Sequence, residues 1–200
     1  MSARIIPAMA ALIVLAPVAS AVAQEANSEN GSRGEVSFTD DSLQLRYIDS
    51  GDRIDAGRGS QISGTLFLSE DRDIVVSGDV LFPASFDYDR LQILFGPRFY
   101  AALLEDENTD VLAASLGAEV RFELDRSSGF AISGQAYYAP DILTFGSADN
   151  LTDLSARAEI RLQERLTVYA GMRWFEFDLI ESGEERTLQE EVFAGVGWQF

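Results

Sequence analysis

From Glu35 to the last residue the chain alternates apolar and polar positions in short stretches, separated by acidic or glycine-bearing turns. Residues 155–163 show the pattern most clearly. Ala156, Ala158, Ile160 and Leu162 share one parity; Ser155, Arg157, Glu159, Arg161 and Gln163 share the other. A period of two puts successive side chains on opposite faces of an extended strand, and no helical period fits it. The same spacing recurs at 62–68, 74–82, 91–99, 112–122, 130–138, 168–174 and 192–200. Eight strands are therefore expected after residue 58. Residues 35–49 add either one bent strand or a short hairpin turning at Asp40-Asp41. Single-chain bacterial barrels have even strand numbers with both ends in the periplasm, which favours ten strands, or eight if the amino-terminal pieces stay out of the wall.

Alternation also suits a soluble sandwich, so the two faces and the turns have to decide. The inward face is expected to carry Arg46, Asp79, Arg98, Glu119, Arg121, Glu123, Arg157, Glu159, Arg161, Arg173 and Glu191, a nearly neutral set of arginines and carboxylates. The chain as a whole has a net charge of −18. The excess acid must then lie in turns, and it does: Glu70, Asp71 and Asp73; Glu105, Asp106, Glu107 and Asp110; Asp141, Asp149 and Asp153; Glu181, Glu184, Glu185 and Glu190. Counted back from a periplasmic carboxyl terminus, all four connections fall on the outer side, and the turns between them are short. Aromatic residues sort by level as well. Phe82, Phe122, Phe130, Trp198 and Phe200 gather at the periplasmic rim; Phe99, Tyr100, Tyr138, Trp174 and Phe177 gather at the outer one. Two aromatic girdles around an apolar band match a bilayer's two interfaces. The fold expected is all-β: a single antiparallel up-and-down transmembrane β-barrel.

The amino terminus reads differently. Arg4 precedes an apolar run over residues 5–19 broken by Pro7 and Pro17, and Ala21-Val22-Ala23 fits the small-residue pattern of a signal peptidase site. Residues 1–23 are expected to be a cleaved secretory signal, 24–34 a loose periplasmic lead-in, and 35–200 the barrel. The final strand ends in Phe200, with Trp198, Val196, Ala194 and Val192 at alternate positions before it. This resembles the carboxyl-terminal signal read by the machinery that inserts outer-membrane barrels.

Residues 137–150 read YYAPDILTFGSADN, residues 166–179 LTVYAGMRWFEFDL and residues 40–47 DDSLQLRY. Together with the terminal strand, these resemble the YfaZ family of outer-membrane proteins. The likeness is sharpest at YYAPDILTFG and covers most of the mature chain; residues 69–110 match in outline. The resemblance implies an outer-membrane barrel and brings no catalytic residues with it.

Candidate chemistry is sparse. There is no histidine and no cysteine, and all 15 basic residues are arginine. A Ser-His-Asp arrangement, a histidine-bearing metal site and a disulfide framework are thereby excluded. The inward carboxylates alternate with arginines and are better read as ion-paired than as catalytic, because an unpaired buried charge is costly. A barrel this small fills its interior with side chains. No cofactor is expected. The favoured role is structural or surface-interacting, followed by a narrow passive channel for small solutes or ions, with a lipid-modifying enzyme last. Expected partners are outer-membrane lipid, lipopolysaccharide and the barrel-assembly machinery, not nucleic acid, given the acidic charge. The acidic outer turns could take divalent cations through oxygen ligands, although solvated turn residues account for them more simply. The outer connection holding Tyr138, Pro140, Asp141, Phe145 and Asp149 is unusually apolar. It would either cap the mouth and bind a lipid or partner, or fold over neighbouring strands, and the latter is favoured.

Overall fold

A computed structural model describes residues 31–51, 57–84, 89–104, 109–125, 127–146, 148–179 and 185–200. The signal peptide and most of the lead-in expected from the sequence lie outside these residues. Among the described residues there are eleven strands: β1 (Arg33–Phe38), β2 (Ser42–Ser50), β3 (Gln61–Ser69), β4 (Ile74–Pro83), β5 (Leu91–Leu104), β6 (Thr109–Asp125), β7 (Phe130–Ala139), β8 (Thr144–Gly146), β9 (Ala148–Gln163), β10 (Leu166–Leu179) and β11 (Glu185–Gln199). Pairing starts at Arg33, two residues before the expected edge of the barrel. The amino-terminal block is the hairpin: Thr39, Asp40 and Asp41 separate β1 from β2, and the Thr39 hydroxyl accepts the Asp41 N–H at 3.1 Å, a side-chain substitute for a backbone turn.

Each strand pairs antiparallel with its neighbours, β1 joins β11, and β5 joins β6. The wall is closed with ten staves, because β7 and β8 occupy one. β7 pairs with β6 from Leu116 onward, and β8 pairs with it again at Val111–Ala113. Pro140 has no N–H to donate to a ladder. There the chain makes one 3-10 turn, Asp141–Leu143, before rejoining the wall. Closure leaves no unpaired edge, the condition for a sheet to stand in a bilayer. No helix among the described residues is long and apolar enough to cross a membrane.

The exterior inverts the usual arrangement. Twenty-six large apolar side chains are exposed, against eighteen hydrophobic ones buried, and those on the strands occupy the outward parity. Leu112, Leu116, Met172 and Val192 are among the most exposed. An apolar surface running right round a molecule is an interaction surface, not a soluble exterior. Phe82, Phe130, Trp198 and Phe200 are exposed at one rim, called here the terminal rim because β1 begins and the chain ends there. Phe99, Tyr138 and Trp174 are exposed nearer the opposite, distal rim. Tyr100 and Phe177 depart from the expected girdle. Both are buried, because they share parity with the inward-facing Arg98 and Arg173.

Candidate functional site

Among the described residues, chemistry-bearing side chains converge in the lumen, which divides into levels. Its distal half is apolar. Phe67, Val75, Tyr100, Ala102, Leu104, Val111, Ala113, Ala139, Ala148, Leu151, Phe175 and Phe177 form one buried cluster, with Leu188 packed against it. Phe175 sits at the centre. Its ring centroid lies 6.0 Å from that of Phe67 at 88°, 5.8 Å from Tyr100 and 5.4 Å from Phe177. The β10–β11 register slips beside Phe175, so that Gln189 faces Phe175 and Thr187 faces Glu176. Leu188 is the extra residue, and the bulge lets it reach the cluster.

Directly beneath this plug the lumen becomes ionic. The Arg173 guanidinium lies 4.4 Å from the Phe175 ring centroid and grips both oxygens of Asp153, Nε to Oδ1 at 2.8 Å and Nη2 to Oδ2 at 2.9 Å. Its Nη1 donates across the barrel to Gln44 at 2.5 Å. Asp153 also accepts the Tyr100 hydroxyl at 2.9 Å. Arg98 donates to Asp79 at 2.9 Å through Nε and to Glu119 at 2.9 Å through Nη2. Arg46 reaches the same Glu119 oxygen at 2.6 Å, and Ser63 bridges Arg46 to Asp79. Nearer the terminal rim, Arg157 holds both oxygens of Glu35 at 2.8 and 3.1 Å. Arg121 contacts Glu159 at 2.5 Å and Glu123 at 2.8 Å, and Arg33 contacts Glu35 at 2.8 Å. Six arginines thus meet six carboxylates, as near-neutrality of the inner face required. Fork-shaped guanidiniums suit such paired contacts.

Two of these arginines rest on a repeated support. Tyr137 faces Gly117 across the β6–β7 pair, and Tyr169 faces Gly195 across β10–β11. A Cβ on Gly117 would come within 2.3 Å of the Tyr137 ring, and one on Gly195 within 2.5 Å of the Tyr169 ring. Each tyrosine therefore lies down over a glycine and offers its face to a cation. Arg98 sits 3.7 Å above the Tyr137 ring centroid and Arg157 4.6 Å above that of Tyr169. The ring quadrupole attracts the guanidinium, and the covered glycine gains the packing it lacks.

A cavity of about 390 Å³ opens at the terminal rim, between Gly31, Gly59 and Gln199, and extends inward to Gln44, Arg173 and Gln189. It ends below the apolar plug. Among the described residues, no group of three or more carboxylates is placed to hold a metal ion.

Of the expected inward set, Arg46, Asp79, Arg98, Glu119, Arg121, Glu123, Arg157, Glu159 and Arg173 come together in these ion pairs. Arg161 has the inward parity but stands exposed at the terminal rim, outside the network. Glu191 is half-buried opposite Arg173 in the register, and no ion pair joins it among the described residues. Sequence reading missed Glu35, Arg33 and Asp153. Asp153, an outer-turn acid by sequence, is fully buried. Asp73, from another acidic turn, is buried as well.

The apolar connection is mostly wall. Tyr138 lies in β7, Phe145 in β8 and Asp149 in β9, all three exposed. Phe145 faces Leu112 of β6 on the outward side. Only Pro140, Asp141 and the rest of the 3-10 turn leave the sheet, and the Asp141 carboxylate accepts the Ile142 N–H at 2.6 Å. The insertion-signal residues Val192, Ala194, Val196 and Trp198 all point outward from β11, the strand that closes the barrel, and Phe200 follows at the rim.

Two solved structures resemble this chain in fold. A bacterial polysaccharide outer membrane secretin matches with a TM-score of 0.51 and 14% identity, over 87% of this chain and 66% of that one, just under two thirds of its length. A KdgM porin matches with a TM-score of 0.45 and 10% identity, over 85% of this chain and 99% of the other. No curated protein matches in sequence. The family model described as YfaZ precursor matches residues 6–200, nearly the whole chain. The chain is a small outer-membrane-type β-barrel, and it belongs to the YfaZ family.

Proposed function

We propose that this barrel is a sealed structural and surface-interacting element of the outer membrane, not an enzyme, standing with its terminal rim in the periplasm. The observation that carries the reading is the apolar cluster around Phe175, which fills the distal half of the lumen where a channel would need water. Below it Glu119, Asp79, Glu159, Glu35 and Asp153 are each held by an arginine, which leaves none of these five as a free general base. The apolar exterior meets outer-membrane lipid. The acidic distal turns face the lipopolysaccharide, where divalent cations could bridge them to its phosphates. The outward stripe of β11 is what the assembly machinery would engage during insertion, after export through a Sec-type signal.

In planar bilayers the purified barrel should give no unitary conductance. The double variant Phe175→Ala/Phe177→Ala should show discrete steps, because it opens the plug over a cavity already connected to the opposite rim. The runner-up, a narrow passive channel, draws on that same cavity, which runs from the terminal rim up to the underside of the plug. Unitary conductance from the unaltered protein would overturn the sealed reading in favour of the channel.

A further inference from the structure

The arginine count and the carboxylate count match within the network but not at its terminal mouth. Arg33, Arg121, Arg161 and Arg165 converge there around a small polar space of about 40 Å³, with Gly129, Thr167, Gly197 and Gln199 completing its lining. That is room for more than one water, which takes roughly 30 Å³ of liquid volume. The cluster is held in place by two positions without a side chain. A Cβ on Gly197 would come within 2.9 Å of Arg33 Nε and Nη2, and one on Gly129 within 2.6 Å of the Arg161 Cβ. Gly129 has φ +64, so the turn itself requires a residue tolerant of that conformation.

The donors there are not used up. Arg33 is three-quarters buried, yet its Nε and Nη2 make no hydrogen bond, although Nη2 lies 2.8 Å from Glu35. Arg161 and Arg165 form no ion pair among the described residues. At this mouth Arg33, Arg121 and Arg157 are matched by Glu35, Glu123 and Glu159, and Arg161 and Arg165 add two guanidiniums that no ion pair takes up among the described residues. The nearby Glu164 and Asp125 are exposed, and Asp125 is taken up by the Ser127 and Ser128 hydroxyls. Buried donors without acceptors are costly, and a guanidinium fork is shaped for an oxyanion.

We propose that this mouth is an oxyanion site, built for the dianionic phosphate group of a soluble ligand that enters from the terminal rim. Arg33, Arg121 and Arg161 carry inward parity and Arg165 lies beside them in the β9–β10 turn, so the site opens at the barrel's mouth and not to lipid. It is independent of whether the barrel conducts.

The test is titration of the folded, detergent-solubilised barrel with inorganic phosphate, sulfate and acetate, followed by calorimetry. Phosphate and sulfate should bind and acetate only weakly. Arg161→Ala/Arg165→Ala, which removes exposed and unpaired groups, should weaken phosphate binding about tenfold or more, the loss of one or more charge-assisted contacts. Arg72→Ala, an exposed arginine in the β3–β4 turn at the opposite rim, should leave it unchanged. Absence of phosphate binding, acetate binding as tightly as phosphate, or equal losses from the Arg72 and Arg161/Arg165 variants would each overturn the proposal. Vesicles of anionic phospholipid should not compete with phosphate; competition would move the site from the vestibule to the membrane surface.

Discussion

The two halves of the lumen are sealed by opposite means. In the distal half, aromatic and aliphatic side chains fill space, and any one of them can be exchanged for another of similar volume at modest cost. In the half toward the terminal rim, guanidiniums and carboxylates tie strands that are not neighbours: β2 to β6 through Arg46–Glu119, β9 to β1 through Arg157–Glu35, and β10 to β2 through Arg173–Gln44. These contacts are directional, and each group's partner is specific. Packing tolerates approximation, whereas a buried charge left without its partner does not. The plug can therefore be loosened gradually, while the ionic half fails one residue at a time.

The hardest test of that contrast is Asp153, which lies at the boundary and serves both halves. Asp153→Ala strands Arg173 and removes an acceptor from Arg98 and Tyr100, so a loss of about 3–5 kcal/mol is expected. The shift of the heat-modified band in cold and heated gel mobility, or a urea titration, would measure it. A loss no larger than that of a surface substitution would mean that water replaces the carboxylate and that the boundary is wet. A smaller effect sharpens the picture of the terminal half. Tyr169→Leu keeps an apolar side chain over Gly195 but removes the face on which Arg157 sits, for an expected loss of about 0.5–2 kcal/mol. Phe193→Leu, one side chain away on the same tier, serves as the packing-only control. Equal losses from the two would indicate that the stack contributes packing alone.

The smallest effect lies outside the wall. Asp125 closes the β6–β7 turn, and hydrogen bonds from the Ser128 and Ser127 hydroxyls and the Ser127 N–H hold its carboxyl down at about 2. Its ordinary value is 3.8. A carboxyl lowered by folding stabilises the folded state above the ordinary value, and that contribution disappears as pH falls toward the lowered one. The unfolding midpoints of the unaltered protein and Asp125→Ala should therefore differ at pH 6 and converge near pH 2. A difference independent of pH would mean that the turn is held by the serine and glycine backbone and not by the carboxylate.

Most of the wall was legible because period-two alternation is a direct imprint of a two-faced strand. The eight segments after residue 58 followed from it; the hairpin at Asp40-Asp41 was one of two readings it left open, and the ten staves came from the even strand number of such barrels. Two of the misplacements share a cause: a strand is read as ending where acids or rim aromatics accumulate. Asp153 shares parity with Ser155, Arg157 and Glu159, and Tyr100 shares parity with Arg98. Continuing the alternation a few residues further would have placed both inside. Composition pulled the other way, since an aspartate looks like a turn residue and an aromatic near a rim looks like an interface anchor. The apolar plug was not legible at all. It is made by the distal ends of β3 to β11, brought together by closure of the sheet, and no stretch of sequence carries it. The mouth arginines were visible singly, but nothing in the spacing of residues 33, 121, 161 and 165 says that they meet.

The cross-lumen ties also have a consequence in time. Glu35 and Arg157 stand 122 residues apart, and Gln44 and Arg173 stand 129 apart. Neither pair can form until the sheet has closed, so these cross-lumen ties are absent while the wall is being laid down, unlike the pairs between neighbouring strands such as Arg98–Asp79. Interactions missing from the rate-limiting state of assembly do little to speed it and much to slow its reversal. The cross-lumen ties then act as a latch set last: leaving the closed state requires them to part, and the barrel's durability is a matter of escape rate.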